Sequence, residues 1–173
     1  AKAAPIYYAE KVAPWVYDFV RPLLPCKALF NLRDPRDVCV SSIKFDQKRG
    51  HVAFGPKPGE PMETYVRAFA LESKARLKRI LEAQKTPNEH VVRYETLALE
   101  PEKVCAELNR YLGIHINPAP VLDDKAYFQK HATSDSAADS VGRWKRNLSK
   151  EANEVFVEIL KDELLALGYE LYP

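Results

Sequence analysis

Arg33 and Ser41 bracket a proline-started segment, LFNLRDPRDVCVSSIKF (residues 29–45), whose residue types suit the capture of a compact anion. Arg33 falls where an apolar run ends and a helix should begin. Free amides at a helix start and the helix dipole attract negative charge, and a guanidinium fork adds paired, charge-assisted hydrogen bonds. Ser41 follows the capping residue Asp34 by two turns, which returns it to nearly the same helix face, roughly 10 Å along the axis. A phosphate beside these turns would meet Arg33 from one end and Ser41 from the other. A well-capped helix whose Arg and Asp residues form surface ion pairs would use the same letters.

A second basic cluster lies in VGRWKRNLSK, where Arg143, Lys145, Arg146 and Lys150 crowd one stretch beside Gly142 and Trp144. Gly142 permits close backbone approach, Trp144 offers an aromatic plane, and Arg143 can contact a phosphate. Trp144 is equally suited to packing the last helix onto the core. The net charge of +2 is too small to argue for nucleic acid, and small clusters suit a small anion better than a polyanion. Three cysteines without a CxxC pair point away from a disulfide framework or a zinc site and toward a reducing, cytoplasmic setting. The four histidines, His51, His90, His115 and His131, are scattered singly, so no metal site is expected.

The elements that must carry these residues follow from the pattern. KALFNL (27–32) reads as a buried strand. Asp34-Pro35 then opens a helix toward Phe45, with Asp37 completing a capping-box-like pattern. Residues 46–60, rich in Gly and Pro, read as a loop. Pro61 opens a long helix with an apolar stripe of Met62, Tyr65, Val66, Phe69, Leu77, Ile80 and Leu81. EHVVRY (89–94) is a second short strand. Pro101 starts a helix with Val104, Leu108, Tyr111 and Leu112 on one face, and Gly113 stops it. A loop-rich stretch from Pro118 leads to Ser149, which caps a last helix carrying Val155, Phe156, Ile159, Leu160, Leu164 and Leu167, closed by Gly168. Strands alternating with helices predict a single α/β domain over 1–173, with a parallel sheet covered on both faces. Two strands are too few for such a sheet, so an N-terminal strand is expected to be missing. No run of 18 apolar residues is present, so no membrane span is expected. The 46% hydrophobic and 29% charged content is that of ordinary globular proteins.

R-D-P-R-D-V-x-V-S resembles the 3′-phosphate motif of the PAPS-dependent sulfotransferases (PAPS, 3′-phosphoadenosine 5′-phosphosulfate), of the bacterial type. The resemblance places Arg33 and Ser41 on that phosphate. Tyr94-Glu95-Thr96-Leu97, Pro101 and Tyr111-Leu112-Gly113 are similar to the family's Y-E-D-L, helix and F-L-G run, which implies that Tyr94 contacts the adenine. Ser140-Val141-Gly142-Arg143-Trp144 resembles the nucleotide loop S-[IV]-G-R-W. Glu10-Lys11-Val12-Ala13-Pro14 resembles the E-K-T-P segment, which implies that Lys11 stabilises charge on the leaving group. Where cytosolic animal members carry R-K-G, this chain has Ala137-Ala138-Asp139.

The resemblance runs from about residue 9 to the end and implies a P-loop-like fold. Its implied reaction moves a sulfuryl group from PAPS to a hydroxyl or amine of a small-molecule, glycan or lipid acceptor, releasing PAP. The family's 5′-phosphosulfate loop, G-x-P-K-[ST]-G-T, occurs nowhere in these residues, so this chain alone is expected to be inactive. Two other readings stand beside it: a PAP-binding remnant without turnover, and a P-loop-type kinase. The catalytic base, the acceptor and the oligomeric state have no assignment from the sequence.

Overall fold

The computed structural model describes residues 7–119, 130 and 132–173. Part of the loop-rich stretch expected from Pro118 toward Ser149, with His131, lies outside the described residues. Among those described, the order is α1 (Pro14–Val20), β1 (Ala28–Leu32), α2 (Pro35–Arg49), α3 (Met62–Ala83), β2 (Glu89–Arg93), α4 (Tyr94–Leu99), α5 (Pro101–Leu112), a short 3₁₀ turn (Ala138–Ser140), α6 (Trp144–Asn147) and α7 (Lys150–Ala166).

β1 and β2 pair in parallel, with Phe30 opposite Val91 and Leu32 opposite Arg93. Phe30 and Leu32 turn into the core, whereas Leu29 and Asn31 are exposed. One face of the strand is therefore open, where burial on both faces was expected. The parallel geometry brings the C-terminal ends of both strands to one edge, and α2 and α4 begin there.

The core sits between this sheet, α3 and α7. Phe30, Leu32, Tyr65, Val66, Leu77, Ile80, Phe156, Leu160 and Leu164 are buried together, and Phe69 meets Phe156 edge to face at 6.3 Å. The expected stripe of α3 holds except at its first residue, since Met62 is exposed at the helix start. On α5 only Val104 is fully buried.

α2 runs on to Arg49, beyond the expected Phe45, because no breaker occurs before Gly50, whose φ of 71° closes the helix. Asp46 near its end accepts from the amides of Ala53 (2.8 Å), Phe54 (3.0 Å) and Gly55 (2.7 Å), and Tyr65 OH donates to Phe54 O at 2.9 Å. The Gly/Pro-rich stretch read as a loop is thus pinned to α2.

α1 and α4 lie in segments with no clear helical period. An ion network holds α1. The buried carboxylate of Glu89 accepts from Arg79 Nη1 (2.8 Å) and Arg21 Nη1 (3.0 Å), and Arg79 Nη2 also reaches Asp18 at 2.8 Å.

Candidate anion-binding site

The site forms where β1 ends, α2 starts and the loop before α6 folds back. Asp34 caps α2 by accepting from the Arg36 amide at 2.9 Å, and Pro35 supplies the first helical residue.

Four of the residues singled out in the sequence bond to two residues of one loop. Arg33 Nη2 donates to Ser140 O at 3.1 Å, and its guanidinium lies over the Tyr94 ring at 4.2 Å. Tyr94 OH pairs with Ser140 Oγ at 2.7 Å. Ser140 Oγ itself donates to Ala137 O at 2.6 Å, which makes the phenol the donor to Ser140. Ser41 Oγ meets Thr133 Oγ1 at 3.2 Å. Arg143 donates from Nη1 to Thr133 O (2.8 Å) and from Nη2 to Thr133 Oγ1 (2.7 Å). Thr133 and Ser140 thus present oxygens to an arginine fork, a serine hydroxyl and a second arginine.

The electrostatics of the cluster favour a negative charge. Arg143 is only 2% exposed. The Nε atoms of both Arg33 and Arg143 are buried without a hydrogen-bond partner. A buried donor left unmade is costly, the more so on a charged group, so both forks are short of acceptors. Burial, and next the charge of Arg33, push the Arg143 guanidinium below its ordinary pKa. Two cations, one buried and one half-buried, crowd each other, an arrangement that an anion between them would relieve.

Several expectations change in detail. Asp37 does not reach back to the α2 cap. Its carboxylate accepts from Gly142 N (2.7 Å) and Trp144 N (2.8 Å), and the Asp34 amide donates instead to Glu95 Oε1 at 2.8 Å. A Cβ at Gly142 would meet no atom of the protein within 4 Å, so the turn itself leaves space there. The residue's φ of 65° is what selects glycine. Trp144 gives its plane to Arg36, whose Cζ lies 3.5 Å from the ring centre.

Arg36, read as a surface ion pair, is fully buried. It is bonded to Asp34 Oδ2 (2.7 Å), Asn153 Oδ1 (3.2 Å), Glu170 O (2.6 Å) and Leu171 O (3.1 Å), which ties the C-terminal segment to the start of α2. Tyr94 is the first residue of α4 rather than the last of the strand. Lys11 lies exposed in the extended segment before α1 and makes no hydrogen bond or ion pair with another described residue. Thr133 escaped the sequence reading, because one threonine in a polar stretch carries no positional signal.

A family model described as the sulfotransferase domain matches residues 22–168. The chain belongs to the sulfotransferase family. That match takes in every site residue above except Lys11 and spans both strands and the body of α7. None of the curated proteins compared with it matches the chain. The small parallel sheet flanked by helices is compatible with the sulfotransferase fold. Membership makes this a domain of transferases that move sulfuryl groups. Among the described residues no helix is long and apolar enough to cross a membrane, and no cluster of His, Cys, Asp and Glu could hold a metal ion.

Proposed function

We propose that this sulfotransferase domain binds PAPS and its product PAP, with the 3′-phosphate held by Arg33, Ser41 and Arg143. The observation that carries the reading is the pair of buried, unpartnered Nε atoms on Arg33, before α2, and Arg143, before α6. A phosphate supplies the acceptor oxygens that both forks lack and takes over bonds now made to Thr133 and Ser140 oxygens. Tyr94, packed under the Arg33 guanidinium, is the residue for the adenine side. PAPS brings the activated sulfuryl group, and in-line transfer to an acceptor hydroxyl or amine depends chiefly on positioning and charge stabilisation. Lys11 is the candidate cation for charge growing on the leaving phosphate. The domain is read as one P-loop-like α/β unit acting on a small-molecule, glycan or lipid acceptor. Kinase chemistry draws no support from these residues, which contain no G-K-[ST] segment.

Calorimetry with Arg33→Ala tests the reading. Charge-assisted hydrogen bonds are worth about 1.5–3 kcal/mol each, so PAP affinity should fall at least roughly tenfold. Adenosine 5′-monophosphate, which differs from PAP only in lacking the 3′-phosphate, should lose little. Equal losses for the two nucleotides would remove Arg33 from the 3′-phosphate.

A further inference from the structure

Asp37 is a buried carboxylate, 1% exposed, that binds no side chain of the site. Its two oxygens divide between two backbone amides, Gly142 N and Trp144 N, the residues on either side of Arg143. Gly142 holds a positive φ, Arg143 follows in a helical conformation, and α6 begins at Trp144. The carboxylate therefore caps a tight turn on both flanks of the one residue that the turn sends into the anion site. Burial raises the Asp37 pKa, and the two amide bonds oppose that rise.

We propose that Asp37 is a positioning residue for nucleotide recognition: its carboxylate clamps the Gly142–Trp144 turn to the start of α2 and thereby sets the Arg143 fork against Arg33 and Ser41. This rests on the reading of the site as a 3′-phosphate site. The clamp explains why an acid stands beside an anion site at all. By charge alone, Asp37 opposes anion binding, because it partly neutralises Arg33 and Arg143. Its removal would then strengthen binding. By position, it supports binding, because without it Arg143 is held only through Thr133. The two roles predict opposite signs.

Asp37→Asn keeps the shape but has one acceptor oxygen for two amides, and its NH₂ group would face an N–H. Calorimetry with PAP and adenosine 5′-monophosphate, on wild type, Asp37→Asn, Arg143→Ala and the double variant, separates the cases. PAP affinity should fall at least about fivefold in Asp37→Asn, with the monophosphate little changed. In the Arg143→Ala background the same substitution should cost less than about twofold, since the two residues act as one unit. Tighter PAP binding in Asp37→Asn, or fully additive losses, would overturn the proposal.

Amide hydrogen exchange gives a second measurement that needs no Asp37 variant. Gly142 and Trp144 amides should be protected in the nucleotide-free wild type and stay protected in Arg143→Ala. Fast exchange in the wild type would mean that no clamp exists. If wild type binds PAP no better than the monophosphate, the site reading falls and the proposal with it. If Arg33→Ala is selective for PAP while Asp37 and Arg143 add independently, only the proposal falls.

Discussion

The arginines of R-D-P-R divide between two tasks that their letters do not separate. Arg33 is half-buried, stacks on Tyr94 and keeps an unused donor at Nε, as a ligand-binding fork should. Arg36 spends its fork on Asp34, Asn153 and two C-terminal carbonyls while lying over Trp144. Replacing either with lysine would lose planar bidentate geometry, but only Arg33 would lose it toward a ligand. Lys11 belongs to a third kind, an exposed cation without a described partner. Its proposed role is on the rate, because a cation aimed at a leaving phosphate acts on charge that grows in the transition state. In protein that turns over PAPS, Lys11→Ala should lower kcat by about 10²–10³ while PAP affinity stays nearly unchanged. Wild-type turnover in the variant would remove Lys11 from the reaction.

At the scale of elements, the sequence speaks most clearly where the signal is local. Asp34-Pro35, Gly113, Ser149 and Gly168 mark helix ends through chemistry that operates within a turn, and those ends stand where they were read, whereas α2 runs past the expected Phe45 to its cap at Gly50. Tertiary partners were hidden for the same reason. Asp37 occupies a capping-box position, yet its carboxylate serves amides in the distant Gly142–Trp144 turn. Thr133 becomes part of the site only because the chain before α6 folds back over Ser41 and Arg143. α1 was illegible because its anchor is the Asp18–Arg79–Glu89–Arg21 network, spread over three parts of the chain, rather than an apolar stripe.

That network has a definite pH signature. Hydrogen bonds from Arg79 hold both the Glu89 and Asp18 carboxyls below their ordinary values of 4.5 and 3.8. For acids depressed in the folded state, the stabilisation is complete above the unfolded values and is lost as pH falls through the native ones. Acid unfolding followed by circular dichroism should therefore begin below about pH 4. Arg79→Gln should move the transition to higher pH and lower the melting temperature at neutral pH. An unmoved acid transition would mean that the network contributes nothing to holding α1.

At the scale of the whole molecule, the α3–α7 layer is well packed, and the opposite side of the sheet is not. Leu29 on β1 is 44% exposed, and Trp15 and Phe19 on α1 are 75% and 74% exposed. The candidate site lies at the C-terminal edge of the strands, where α/β proteins gather ligands. Its parts come from α2, α4 and the loop before α6, so the nucleotide reading is a claim about how these elements meet. A crystal structure of the chain with PAP tests that claim most directly. The account predicts the 3′-phosphate within hydrogen-bond distance of the Arg33 and Arg143 guanidiniums and of Ser41 Oγ, with Thr133 or Ser140 giving up bonds to it. A 3′-phosphate seated instead in the neighbouring cleft lined by Arg93, Lys145 and Tyr169, with Arg33 still bonded to Ser140, would contradict it.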